Sequence, residues 1–104
     1  MKNGLNNYEI IIQKRAEVEV DEISIYYESL SEGLGTKFYF EFREYVETLK
    51  NIPFFEQRYQ AIRILPLKKF PYSIHFSVDE LESTVTIHAV ICDYQNPETT
   101  RIKL

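Results

Sequence analysis

The sequence holds one cysteine, three glycines and no apolar run near the ~18 residues that a membrane span needs. With Cys92 alone, no internal disulfide can form, which fits a reducing compartment. Gly4, Gly33 and Gly35 are too few and too scattered to build a phosphate-cradling loop. Metal-ligand spacing is also missing. His75 and His88 lie far apart in sequence, and neither a Cys-x-x-Cys nor a His-x-x-x-His pattern occurs, so no metal and no cofactor is expected. Asp79, Glu80 and Glu82 lack the glycine and ligand spacing of a calcium loop and read as a solvated hairpin tip. Residues 1–7 are polar, without the apolar centre of a signal peptide. A soluble, cytoplasmic protein is therefore expected.

What is present suits a single globular domain over residues 1–104, with 1–7 and 98–104 as loose tails. Apolar residues make up 44% of the chain and charged residues 27%, and eight tyrosines with seven phenylalanines foretell a core rich in rings. The net charge of -4 argues against non-specific nucleic-acid binding. It is unevenly spread. Residues 57–78 contain Arg58, Arg63, Lys68 and Lys69 and no acid, whereas residues 15–50 are strongly acidic. One anion-facing surface therefore remains open.

Hydrophobic periodicity orders the chain. Residues 8–13 put Tyr8, Ile10 and Ile12 on one face of a first strand. Over 15–31 the period changes: Ala16, Val20, Ile23, Tyr27 and Leu30 line one side of a helix. Glu17, Glu19, Asp21 and Glu22 favour its N-terminal half through the helix dipole. Gly33 follows as a left-handed cap. Residues 36–52 repeat the helical spacing with Phe38, Phe42, Tyr45, Leu49 and Ile52, until Pro53 stops the helix. A short link between two amphipathic helices predicts an antiparallel hairpin.

Beyond Pro53 the period is two. Residues 59–65 set Ile62 and Ile64 on one face, with Tyr59, Ala61 and Arg63 on the other. Residues 70–78 turn Tyr72, Ile74, Phe76 and Val78 inward and Ser73, His75 and Ser77 outward. Residues 84–92 turn Val85, Ile87, Ala89 and Ile91 inward. Thr84, Thr86, His88, Val90 and Cys92 take the other side. Residues 79–83 close a hairpin whose register stays open, because two pairings satisfy the pattern. The predicted fold is α+β, β-α-α-β-β-β. A helical hairpin packs on one face of a mainly antiparallel four-stranded sheet. The other face is semi-polar and open to a ligand.

Several side chains on or near that open face carry possible chemistry. His75 and His88 share it, and two histidines near neutral pKa can act as acid and base on a phosphodiester; they can equally be ordinary polar residues of a sheet. Arg63 is assigned to the same face, and Lys68 and Lys69 to the turn that follows, where they would hold phosphate or stabilise its charge. Cys92 reads as an inert thiol. On the helices, Val18, Ile25 and Phe40 oppose the inward stripes and mark a possible partner groove.

From Tyr8 to Pro97 the chain resembles the RelE/ParE toxin family, the plasmid stabilisation proteins. The resemblance lies in Tyr26-Tyr27 of the first helix, in Gly35-Thr36-Lys37-Phe38 opening the second, and in Asn51-Ile52-Pro53 closing it. It continues through the run from Arg63 to Tyr72, the strand from Ile87 to Ile91, and Asn96-Pro97. Any one motif is weak, and their order carries the likeness. The resemblance implies a type II toxin silenced by a cognate antitoxin that folds on binding. RelE-like members act as mRNA interferases on ribosome-bound mRNA, and ParE-like members are gyrase inhibitors without nuclease activity. Where many members carry a His and then an Arg after the last strand, this chain has Cys92 and Gln95. That departure weakens a nuclease and favours a gyrase poison or a member that only binds antitoxin. If a nuclease is present, Arg63 and His75 would be catalytic, with Lys68, Lys69, His88 and Tyr94 at the target. Val18, Ile25 and Phe40 would meet the antitoxin.

Overall fold

A computed structural model of the chain describes residues 7–51, 57–59 and 61–94. Strand β1 (Glu9–Ile12) leads into helix α1 (Lys14–Leu30), and α2 (Leu34–Leu49) returns beside it. Strands β2 (Gln57–Tyr59), β3 (Ile62–Pro66), β4 (Tyr72–Asp79) and β5 (Thr84–Cys92) follow. The sheet order is β1-β5-β4-β3-β2, with β1 parallel to β5 and every other pair antiparallel. The expected four-stranded, mainly antiparallel sheet under a helical hairpin is thus present, extended by the short β2. Residues 59–65, expected as one strand, are instead split. Tyr59 pairs with Ile62 across a tight turn, and Ala61 takes φ 65 there, a left-handed angle that no strand interior adopts. Ile52, Pro53, Gln95 and Pro97 lie outside the described residues.

The hairpin of helices is closed by glycine. Gly33, at φ 86, supplies the left-handed residue between α1 and α2. Gly35 marks the closest approach of the two helices: a Cβ there would stand 2.3 Å from the Ser24 carbonyl oxygen. Glu28 completes the junction. Its carboxylate accepts the N–H of Gly33 at 2.8 Å and of Gly35 at 3.0 Å, satisfying donors that the start of α2 leaves free.

One cluster joins helices and sheet. Ala16, Val20 and Ile23 of α1 and Phe38, Phe42, Val46 and Leu49 of α2 pack on Ile74, Phe76, Val85, Ile87 and Val90. Each such large side chain contributes roughly 1.5–3 kcal/mol by burial. Leu30, expected in the stripe, is exposed, because α1 has passed the sheet at its last turn. Tyr27, Phe38, Phe70 and Tyr72 add a ring cluster with centroids 4.9 to 6.2 Å apart, tying both helices to the β3–β4 turn. Tyr72 donates to the Tyr27 hydroxyl, and burial pushes its own pKa up to about 12.

Two features of the sheet depart from simple alternation. In β5 the register shifts where Phe76 faces Ile87 but His75 faces Ala89, so His88 is an extra residue in a β-bulge. The bulge reverses the faces beyond it. Val90 joins the helix-side core and Cys92 lines a hollow beside Ile23 and Tyr72, while Ala89 and Ile91 form a separate buried cluster. Both expected inward positions, Ala89 and Ile91, are thereby corrected to the other face, as are Val90 and Cys92. In β3 the register pairs Arg63 with Phe76 and Ile64 with His75. Paired residues share a face, so Arg63 lies on the helix side and Ile62 and Ile64 on the open side, the reverse of the expectation. The hydrophobic pattern misled because Ile62, Ile64 and Leu65 are all apolar, leaving both alternations available.

Candidate functional site

The open sheet face is built from β1, β3, β4 and β5. Its centre is Ser73 and His75 of β4 opposite Ile91 and Ala89 of β5, with Ile64 of β3 beside His75. Among the described strand side chains this face carries no lysine or arginine. Its centre is withdrawn from solvent: Ala89 is 0% and His75 8% exposed. Burial drops the His75 pKa to about 4, and the Arg15 guanidinium at the start of α1 presses it down further, against a smaller opposing pull from Asp93. At neutral pH His75 is an uncharged imidazole.

His88 sits on the same face by alternation from Thr86, and the bulge adds Ala89 to that face beside it. Its Nε2 lies 2.7 Å from the Ser77 hydroxyl and its Nδ1 3.3 Å from Gln13 Oε1. With the Gln13 oxygen accepting, Nδ1 carries the proton and Nε2 accepts from Ser77. Burial lowers the His88 pKa as well. Ser73 donates to Asp93 at 2.6 Å. The structure thus brings His75 and His88 to one face, as the sequence indicated, and leaves Arg63 off it. The Nε of Arg63 is buried without a hydrogen-bond partner.

Lys68 and Lys69 are exposed at the β3–β4 turn. Their backbone N–H groups both donate to one oxygen of Glu41, at 2.8 and 2.9 Å. Glu41 is a buried acid of α2 that periodicity did not single out, and it holds this turn in place. A second acid, Glu19, accepts the Val90 N–H at 2.8 Å beyond the end of β1, where that edge of β5 no longer pairs with β1, and it also holds Arg15 at 3.0 Å. The signal for both was weak: an acid adjoining an apolar stripe. Tyr94 projects into solvent beyond β5.

The outer surface of the helices presents the second candidate. Ile25 is 70% and Phe40 60% exposed, and they line one groove of about 440 Å³ with Tyr39. Val18 lines an adjoining hollow that shares Asp21 and Tyr39 with it. The three expected residues therefore flank one continuous surface. Tyr39, a neighbour of Phe40, was missed because it stands between the inward and outward stripes. No helix among the described residues is long and apolar enough to cross a membrane, and no cluster of potential metal ligands occurs among them.

No protein-family model and no curated protein matches the sequence. Solved structures do match the fold. A chain of the chromosomal ParDE TA system from P. aeruginosa superposes with a TM-score of 0.71 at 19% identity, covering 84% of this chain and 97% of that one. The archaeal RelE-RelB complex from Pyrococcus horikoshii OT3 gives 0.54 at 14% identity, covering 86% and 99%. The isolated E. coli RelE toxin gives 0.50 at 13% identity, covering 89% and 92%. The two helices on a mixed, mainly antiparallel sheet are the fold shared by the ParE and RelE toxins.

Proposed function

We propose that the chain is the toxin of a toxin–antitoxin pair and that it acts by binding its target rather than by cutting RNA. The observation that carries this is the open sheet face. Its central histidine is buried and neutral, and the described side chains that β1, β3, β4 and β5 place on it offer no cation to a scissile phosphate. One preorganised donor to a developing charge is worth about 2.7–4 kcal/mol, so a nuclease lacking such donors would be severely slowed. The higher superposition on the ParDE chain than on either RelE chain agrees with a ParE-like role, for which DNA gyrase is the first target to test. The exposed surface of Val18, Ile25 and Phe40 is the proposed antitoxin seat. Expression with and without the adjacent small gene tests the toxin role: growth arrest relieved by that gene is expected, and unimpeded growth in both cultures refutes it. A supercoiling assay with purified protein then tests the target, and unchanged gyrase activity at saturating protein removes gyrase.

A nuclease role retains one observation, the Arg15 guanidinium that acts on His75. Arg15 is also paired with Glu19 at 3.0 Å.

A further inference from the structure

A chain of three polar side chains crosses the open sheet face, from β4 through β5 to the residue after β1. Ser77 donates its hydroxyl proton to His88 Nε2 at 2.7 Å, and His88 Nδ1 donates to Gln13 Oε1 at 3.3 Å. The bulge in β5 sets this up. In an unbroken ladder His88 would stand opposite His75; Ala89 takes that place, and His88 turns to its diagonal neighbour Ser77. Gln13 is fixed through its backbone. Its N–H donates to the Ile87 carbonyl and its own carbonyl accepts the Glu17 N–H, both at 3.0 Å. At the head of α1 its side chain makes no capping bond, so its amide oxygen serves His88. His88 is 7% exposed, which shields the base from water, while half-buried Ser77 keeps part of its surface in solvent. Burial holds the His88 imidazole below its ordinary pKa, and His75 beside it is neutral as well, so at pH 7 Nε2 is free to accept a proton.

We propose that Ser77 is an activated nucleophile that takes the acyl group of an activated ester, with His88 as its general base and Gln13 as the positioning residue that fixes the His88 tautomer. In that step Ser77 Oγ bonds to the acyl carbon and its proton passes to His88 Nε2. The bond from the acyl carbon to the leaving oxygen breaks, and the proton moves from Nε2 to that oxygen. The three side chains supply proton removal, so donors with a good leaving group are the class they serve. Thr86 lies opposite Ser77, and Ile11, 47% exposed, lies beyond Thr86 on β1. Two strand spacings away, about 10 Å from Ser77, Ile11 gives an apolar acyl chain a surface to rest on. This chemistry is independent of the toxin role proposed above.

The test uses the full chain and p-nitrophenyl octanoate. Nitrophenolate should appear in a burst, and peptide mapping should find Ser77 acylated at least about tenfold faster than Ser29, an exposed serine whose hydroxyl donates to the Tyr26 carbonyl. In urea, Ser77 should fall to the rate of Ser29, a comparison that needs no variant. His88→Gln should slow Ser77 acylation about a hundredfold. Gln13→Ala should slow it about tenfold. Gln13→Glu should preserve it and move the inflection of its pH profile upward, because a carboxylate at Nδ1 favours the imidazolium. Thermal melts verify the fold of each variant. Ser77 acylated no faster than Ser29 in the folded chain overturns the inference. Fast acylation that His88→Gln leaves intact overturns it too, as does an inflection that Gln13→Glu leaves in place.

Discussion

Acidification from pH 7 to pH 5 should destabilise the fold through His75. Its folded pKa of about 4 lies below the ordinary 6.5 because burial and the Arg15 charge disfavour the imidazolium. The unfolded chain therefore binds the proton first. The stability that His75 contributes is present above pH 6.5, falls as pH drops through the window from 6.5 to 4, and is lost below it. The full shift corresponds to roughly 3 kcal/mol, of which about 2 kcal/mol would be lost by pH 5, or about 1–2 after allowance for solvent screening. For a chain of this size that is a fall in Tm of about 5–10 °C. Carboxylates titrate over the same range, so the measurement is a difference. Thermal melts of the native chain and of His75→Gln, each at pH 7 and pH 5, should show the smaller fall in the variant. Proton NMR of the His75 ring should show no titration above pH 5. A ring that titrates near pH 6.5, or equal falls in both proteins, refutes the burial argument and restores His75 as a candidate acid or base at neutral pH.

Gly35→Ala should cost about 1–3 kcal/mol in urea unfolding, because its methyl meets the Ser24 backbone and forces α1 and α2 apart. Glu41→Ala should cost about 2–4 kcal/mol, since two N–H groups lose a charged acceptor; the amides of Lys68 and Lys69 should then exchange with solvent much faster. Glu19→Ala should speed exchange at Val90 while leaving exchange at Ile74 close to that of the native chain.

Much of the fold was legible in the sequence because its two helices and β4 obey single periods. Phe38, Phe42 and Leu49, or Ile74 and Phe76, admit one face only, and they are buried as their spacing requires. The candidate site was harder to read for two physical reasons. A bulge costs one residue and leaves no composition signature, so the inversion of Ala89, Val90 and Ile91 cannot be seen in the residues 84–92, which are apolar on both faces beyond His88. In β3 the apolar Ile62, Ile64 and Leu65 allow either alternation, and only pairing with β4 chooses the one that carries Arg63 to the helix side. Single-residue register decides the charge of a sheet face, and here it removed the cation on which a catalytic assignment would have leaned. The exposed residues Val18, Ile25 and Phe40 were legible because a helix keeps its phase over many turns.

The most direct test of a binding rather than a cutting role is to incubate the purified chain with translating ribosomes and map the 5′ ends of the mRNA. The expected result is intact mRNA at protein concentrations that arrest growth in cells. New ends appearing within ribosome-protected codons, and lost in His75→Gln, would contradict it.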